Sequence, residues 1–292
     1  MSGDHVMALE VHRLRKEFPG FCLQDVSFEL PAGYIMGFIG PNGAGKSTTI
    51  KLIMNLLRKD GGTVRLFGLD HVRHEKQCKN RIGFVYDENH YYEELSLREM
   101  TGIVARAYSD WDQQAYERYL KKFALDPRKK IKNLSKGMKM KYALAVALSH
   151  RPDLLLMDEP TSGLDPVVRS ELLEILGEII LDEKKAVLFS THITSDLERV
   201  ADYVTLINAG KIVFSAAKDE ILESYCLVKG STELLTAEAR RIFVGLRTSR
   251  FGFEGLVRDN KQARVTFGDS AVLERPSLEE ILLYTVRGDS NA

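Results

Sequence analysis

Residues 40–48 read GPNGAGKST, and no other stretch constrains the fold as much. The apolar run GYIMGFIG leads into it, and KSTTIKLIMNLL leaves it with Ile50, Ile53, Met54 and Leu57 at helical spacing. A buried strand, a glycine-rich turn and an amphipathic helix in that order match G-x-x-x-x-G-K-[ST] in full. Glycine lets backbone N–H groups curl around phosphates, and the helix N-terminus faces the same anion. Gly40, Pro41, Asn42, Gly43, Ala44, Gly45, Lys46, Ser47 and Thr48 are therefore candidate phosphate-binding residues. Lys46 would bridge the β- and γ-phosphates of a bound nucleotide, and Ser47 would ligate Mg²⁺.

Downstream, LLLMDEP (154–160) is an apolar strand ending in two acids. Adjacent strand residues point to opposite sides. Asp158 can thus hold Mg²⁺ through water while Glu159 orients or deprotonates a water. His192 follows a second apolar strand, AVLFST. Parallel strand order would bring it to the carboxyl edge where phosphates lie.

The remaining texture is alternating strand and helix, an α/β core, interrupted by a strand-free helical insert at about 94–150. Ser96 and Asp112 are plausible helix caps there. Beyond about residue 227, YCLVKGS, RIFVGLRTS, FEGLVRD and ARVTF read as short strands around one helix, TAEARRIF, followed by a last helix, SLEEILLYTVRG. The expected division is 1–227 for the main domain and 228–292 for a small α+β domain. Lys+Arg and Asp+Glu balance at 41 each, so bulk charge indicates no polyanionic partner, and no nucleic acid is expected. Cys22, Cys78 and Cys226 lack metal-ligand spacing and read as reduced thiols. The N-terminus has no signal-peptide core. The longest apolar runs fall short of the ~20 residues that span a bilayer.

The ordered series GPNGAGKST, LSKGM, LLLMDEP, SGLD and STH resembles the ATPase subunit of an ABC transporter of the bacterial exporter-like kind, over roughly residues 7–227. The resemblance implies a P-loop NTPase cassette of α/β class with a helical insert. It implies an enzyme that hydrolyses ATP with Mg²⁺ and energises a separately encoded transmembrane permease. Such a subunit works peripherally at the cytoplasmic face of the membrane, as a homodimer or heterodimer. In the family, ATP glues two cassettes head to tail. Ser135 and Gly137 would then close on the γ-phosphate held by the other subunit, and Asp165 would reach across to link the two sites. Phe18 would stack on adenine, with Phe21 as the fallback, and Asp87, with Glu88 beside it, falls where the family usually has Gln at the metal. Arg128, Lys129, Lys130, Lys132, Lys136, Lys139 and Lys141 crowd the start of the Ser135 helix with no acid among them. Positive charge is unfavourable at a helix N-terminus, which makes sense if the phosphate docks beside Lys136 and Lys139. A solvated face and attraction to anionic lipid are the other readings. The alternative function is a soluble ABC ATPase acting on a macromolecule without transport.

Overall fold

Apolar residues alternating with polar ones make β1 (Met7–Phe18) and β2 (Phe21–Pro31) a hairpin in which Phe18 faces Phe21. This and all that follows is a computed structural model, which describes residues 6–87 and 91–288. With β4 (Gly61–Leu66) and β5 (Leu69–Asp70) the hairpin forms an antiparallel sheet of order β2-β1-β4-β5.

A second sheet positions the site. β3 (Ile35–Ile39), buried at every residue, runs through the glycine loop into α1 (Lys46–Ile53). The short α2 (Glu75–Asn80), which the sequence pattern did not reveal, precedes β6 (Ile82–Val85). β7 (Leu154–Met157), β8 (Ala186–Thr191), β9 (Tyr203–Asn208) and β10 (Lys211–Ala217) complete the order β10-β9-β3-β8-β7-β6. Every pairing is parallel except that of β9 with β10. The carboxyl ends of β3, β6, β7 and β8 therefore open on one edge. α6 (Pro166–Ile180) follows β7, α7 (Thr194–Val200) follows β8, and α8 (Lys218–Ser224) follows β10.

The insert consists of α3 (Leu97–Val104), α4 (Gln113–Lys122) and α5 (Lys136–Leu148). Its caps are those expected. Ser96 and Glu99 form a reciprocal capping box, and the Asp112 carboxylate accepts from the Ala115 N–H at 2.8 Å. Every residue of α5 from Tyr142 to Leu148 is buried, so its second half threads the core.

The C-terminal part has the order β11 (Cys226–Gly230), α9 (Ala237–Arg241), β12 (Phe243–Ser249), β13 (Gly252–Val257), α10 (Asn260–Phe267), β14 (Val272–Glu274), then α11 (Leu278–Gly288). The first six make a split βαβ unit, β-α-β-β-α-β, with sheet order β12-β13-β11-β14 and every neighbour antiparallel. Two local expectations are corrected. ARVTF is helical, not a strand, because Asp259 caps it by accepting from Lys261 and Gln262, and Ala263 and Phe267 face the sheet four residues apart while Val265 points to solvent. TAEARRIF is not one helix, since α9 stops at Arg241 and Phe243 opens β12. One face of this sheet buries Val228, Phe253 and Val257 under α9 and α10. Leu227, Leu256, Leu278 and Ile281 on the other side are continuous with the main core through Leu197 and Ile221.

Candidate functional site

The candidate residues fall into two groups. The first lies at the carboxyl edge of the second sheet. The glycine loop is squeezed against its neighbours: a Cβ at Gly45, where φ is 112°, would lie 2.6 Å from Leu23, and one at Gly40 would lie 2.2 Å from the Ile207 carbonyl. Pro41, Asn42 and Gly43 form the outer rim, Ala44 is buried, and Ser47 and Thr48 sit half-buried in the first turn of α1. That turn carries no acid, which suits an anion. Lys46 is buried, and its Nζ donates to the Gly40 carbonyl at 2.8 Å and approaches Glu159 Oε1 at 3.2 Å.

Asp158 and Glu159 leave the end of β7 on different errands. Asp158 is buried and accepts from the Ser190 hydroxyl at 2.6 Å. The same hydroxyl accepts from the Glu159 backbone N–H at 2.9 Å. Glu159 takes the left-handed φ of 49°, which directs its carboxylate between Lys46 and His192. His192 Nδ1 lies 2.8 Å from Glu159 Oε2. An ionised carboxylate only accepts, so Nδ1 carries the hydrogen in this contact. Asp87 is half-buried two residues past the end of β6, on the same sheet edge, and Glu88 lies outside the described residues.

The second group surrounds the starts of α5 and α6. Ser135 caps α5 by accepting from the Met138 N–H at 3.2 Å. Gly137 is buried where a Cβ would meet Val168 at 3.0 Å, so glycine lets the two helices approach. Asp165 is exposed and caps α6, accepting from the Val167 and Val168 N–H groups. Phe18 is 38% exposed at the hairpin tip, its ring 6.5 Å from that of Phe21, which packs against Gly45.

A family model described as ABC transporter matches residues 23–162. The ABC transporter ATP-binding protein NatA of Bacillus subtilis is 32% identical over 69% of this chain and 84% of its own. The lantibiotic transport ATP-binding protein SrtF of Streptococcus pyogenes is 32% identical over 72% of this chain and 91% of its own. This chain belongs to the ABC transporter ATP-binding proteins. A solved ATP-binding subunit of an ABC transporter has the same fold, with a TM-score of 0.67 and 32% identity over 74% of this chain and 92% of that one.

As an ABC transporter ATP-binding protein, the chain binds ATP and is a transport-coupled ATPase of α/β cassette fold. No helix among the described residues is long and apolar enough to cross a membrane. No group of three or more His, Cys, Asp or Glu gathers among them to hold a metal. Mg²⁺ is a hard cation usually held by one or two carboxylates, a hydroxyl and phosphates rather than by a cage of protein ligands. Asp158, Asp87 and Ser47 are hard oxygen donors of the right kind.

The basic segment before α5 requires a correction. Five of its seven cations meet carboxylates. Lys139 meets Glu93 at 2.8 Å, Lys132 and Lys130 meet Glu94, Lys141 meets Glu171, and Arg128 meets Asp126. Only Lys136 of the expected pair is turned toward the second group, over Gly163. Sequence reasoning also passed over Ser190, Thr161, Arg169 and Asp196. Each lies within a few residues of a recognised motif, but nothing in a linear pattern pairs Thr161 with Asp196.

Proposed function

We propose that this cassette hydrolyses ATP in a head-to-tail pair, with an identical or a different cassette, and so drives a separate transmembrane permease at the cytoplasmic face. The contact of Glu159 with both Lys46 and His192 carries the reading. Lys46 supplies positive charge where the β/γ-phosphates would lie. Glu159 takes the proton of the attacking water as the new O–P bond forms and ADP leaves. His192 holds Glu159 by its Nδ1–H; a second donation, from Nε2–H to phosphate, is open only to the doubly protonated ring. When bound, Mg²⁺ neutralises phosphate charge; Ser47 and Asp158 would hold it, with Asp87 beside them. Ser135, Gly137 and Asp165 belong to the partner's nucleotide in this reading, which accounts for their lying in a second group. Phe18 supplies the exposed aromatic face for adenine. We assign 1–227 to the ATPase domain and 228–292 to an accessory domain.

Glu159→Gln tests it. The substitution keeps shape but removes the base, which is worth on the order of 10²–10⁴ in rate. Turnover falls by that order while ATP binding survives, and an ATP-dependent dimer accumulates on sizing. Wild-type turnover in this variant would refute the role of Glu159.

A further inference from the structure

Asp196 belongs to neither group of site residues, yet it is 1% exposed and ionisable. Burying a carboxylate is costly unless it is paired and hydrogen-bonded. Here both oxygens are used. Oδ2 accepts from the Thr161 hydroxyl at 2.7 Å, and Oδ1 accepts from Arg169 Nε at 2.5 Å. Arg169 Nη2 also donates to Ser195 Oγ at 2.7 Å, so the guanidinium is held from α7 at two points.

The positions of these partners matter. Thr161 is two residues past Glu159. Arg169 is four residues past Asp165, and its N–H donates to the Asp165 carbonyl at 3.0 Å. Asp196 is four residues past His192. The stretch 161–169, which carries loop 162–165, is therefore pinned at both ends to one buried carboxylate, on the helix that follows His192. Ser162 N–H donates to the Glu159 carbonyl within the same stretch.

We infer that Asp196 is a positioning residue that makes loop 162–165 move as one body with the Glu159–His192 pair, so that events at one ATP are transmitted through Asp165 to the other. This rests on the head-to-tail reading. Asp196 contacts neither Lys46 nor the glycine loop among the described hydrogen bonds, so its effect on turnover passes through the residues it holds. Removing the charge leaves the Arg169 guanidinium without its carboxylate and loosens the hold of α7 on the loop, with the contact of Arg169 to Ser195 remaining.

The test uses the full chain with Asp196→Asn, Arg169→Gln and the double variant. Steady-state ATPase is followed against ATP and against protein concentration, and ATP binding is measured without Mg²⁺. In the wild type the inference expects a Hill coefficient above one. In Asp196→Asn it expects a Hill coefficient near one and a kcat lower by roughly 5- to 30-fold, with ATP affinity within about twofold of wild type because the glycine loop is untouched. The double variant falls no further than Asp196→Asn alone, since both substitutions open one clamp. A cooperative wild type with an equally cooperative and active Asp196→Asn overturns the inference alone. So does a parallel loss of ATP binding and kcat, which marks a merely structural ion pair. A wild type with a Hill coefficient of one, and turnover per chain independent of protein concentration, overturns the paired-cassette reading and this inference with it.

Discussion

Glu159 holds a conformation that a non-glycine residue adopts at a cost of about 1–2 kcal/mol. The Ser190 hydroxyl offsets part of this by accepting from the Glu159 N–H, while its own hydrogen fixes Asp158. One buried side chain thus orients the acid proposed for the metal and the backbone of the acid proposed as base. Ser190→Ala leaves Asp158 buried without that donor, and Asp87→Asn removes a charge from the same sheet edge. Both variants are expected to raise the Mg²⁺ concentration needed for half-maximal turnover by severalfold, while Mg²⁺-free ATP binding stays near wild type. Mg²⁺ titrations that superimpose on the wild type in both variants would remove Asp87 from the candidate donors and show that Ser190 does not position Asp158 for the metal.

Among the elements, α6 shows how a structural and a functional role can share one residue. Asp165 accepts two N–H groups at its start, and Pro166 follows at a position where no N–H is needed. Asp165→Ala should therefore cost about 0.5–2 kcal/mol in urea unfolding. Asp165→Asn keeps the cap and should unfold like the wild type, yet turn over more slowly if the carboxylate reaches the partner's site. An Asn variant with full turnover and cooperativity reduces Asp165 to a helix cap. α5 illustrates the opposite balance. Its first turn contains no acid, and its cations are compensated from other elements, Lys139 by Glu93 and Lys141 by Glu171. These pairs are partly exposed, so each is worth only about 0–1 kcal/mol.

Across the whole molecule, the C-terminal unit is continuous with the ATPase core. Leu227 and Ile281 share a cluster with Leu197, and the Leu278 N–H donates to Glu198 on α7 at 3.1 Å. Two other buried groups tie stability to pH. His71 and His150 are each 2% exposed, and burial pushes both imidazoles below the ordinary histidine range. Each accordingly favours the neutral ring when folded. The stability they support is present above the ordinary histidine pKa of about 6.5. It is lost as pH falls through that value toward the lowered folded one, because the unfolded chain then binds more protons. Urea unfolding between pH 7.5 and 5.5 should show stability falling by up to about 1.4 kcal/mol per pH unit for each proton taken up. A His71→Gln/His150→Gln variant should lose most of that slope. A wild type with no slope in this window contradicts the assignment.

The sequence by itself determined whatever depends on neighbours along the chain. The glycine loop, the β7 acids and the caps at Ser96 and Asp112 are all local, because backbone geometry and short hydrogen bonds set them. It misread ARVTF because β-branched residues favour a strand on average, while the cap at Asp259 and the facing sheet favour a helix there. Only the tertiary structure decided which distant groups meet. The strand order β3-β8-β7 places His192 against Glu159, and the folding of α6 onto α7 brings Arg169 and Thr161 to Asp196. Glu93 and Glu94 reach the basic segment only because the insert folds back on itself. Charge pairing acts through space, and a linear pattern carries no record of it.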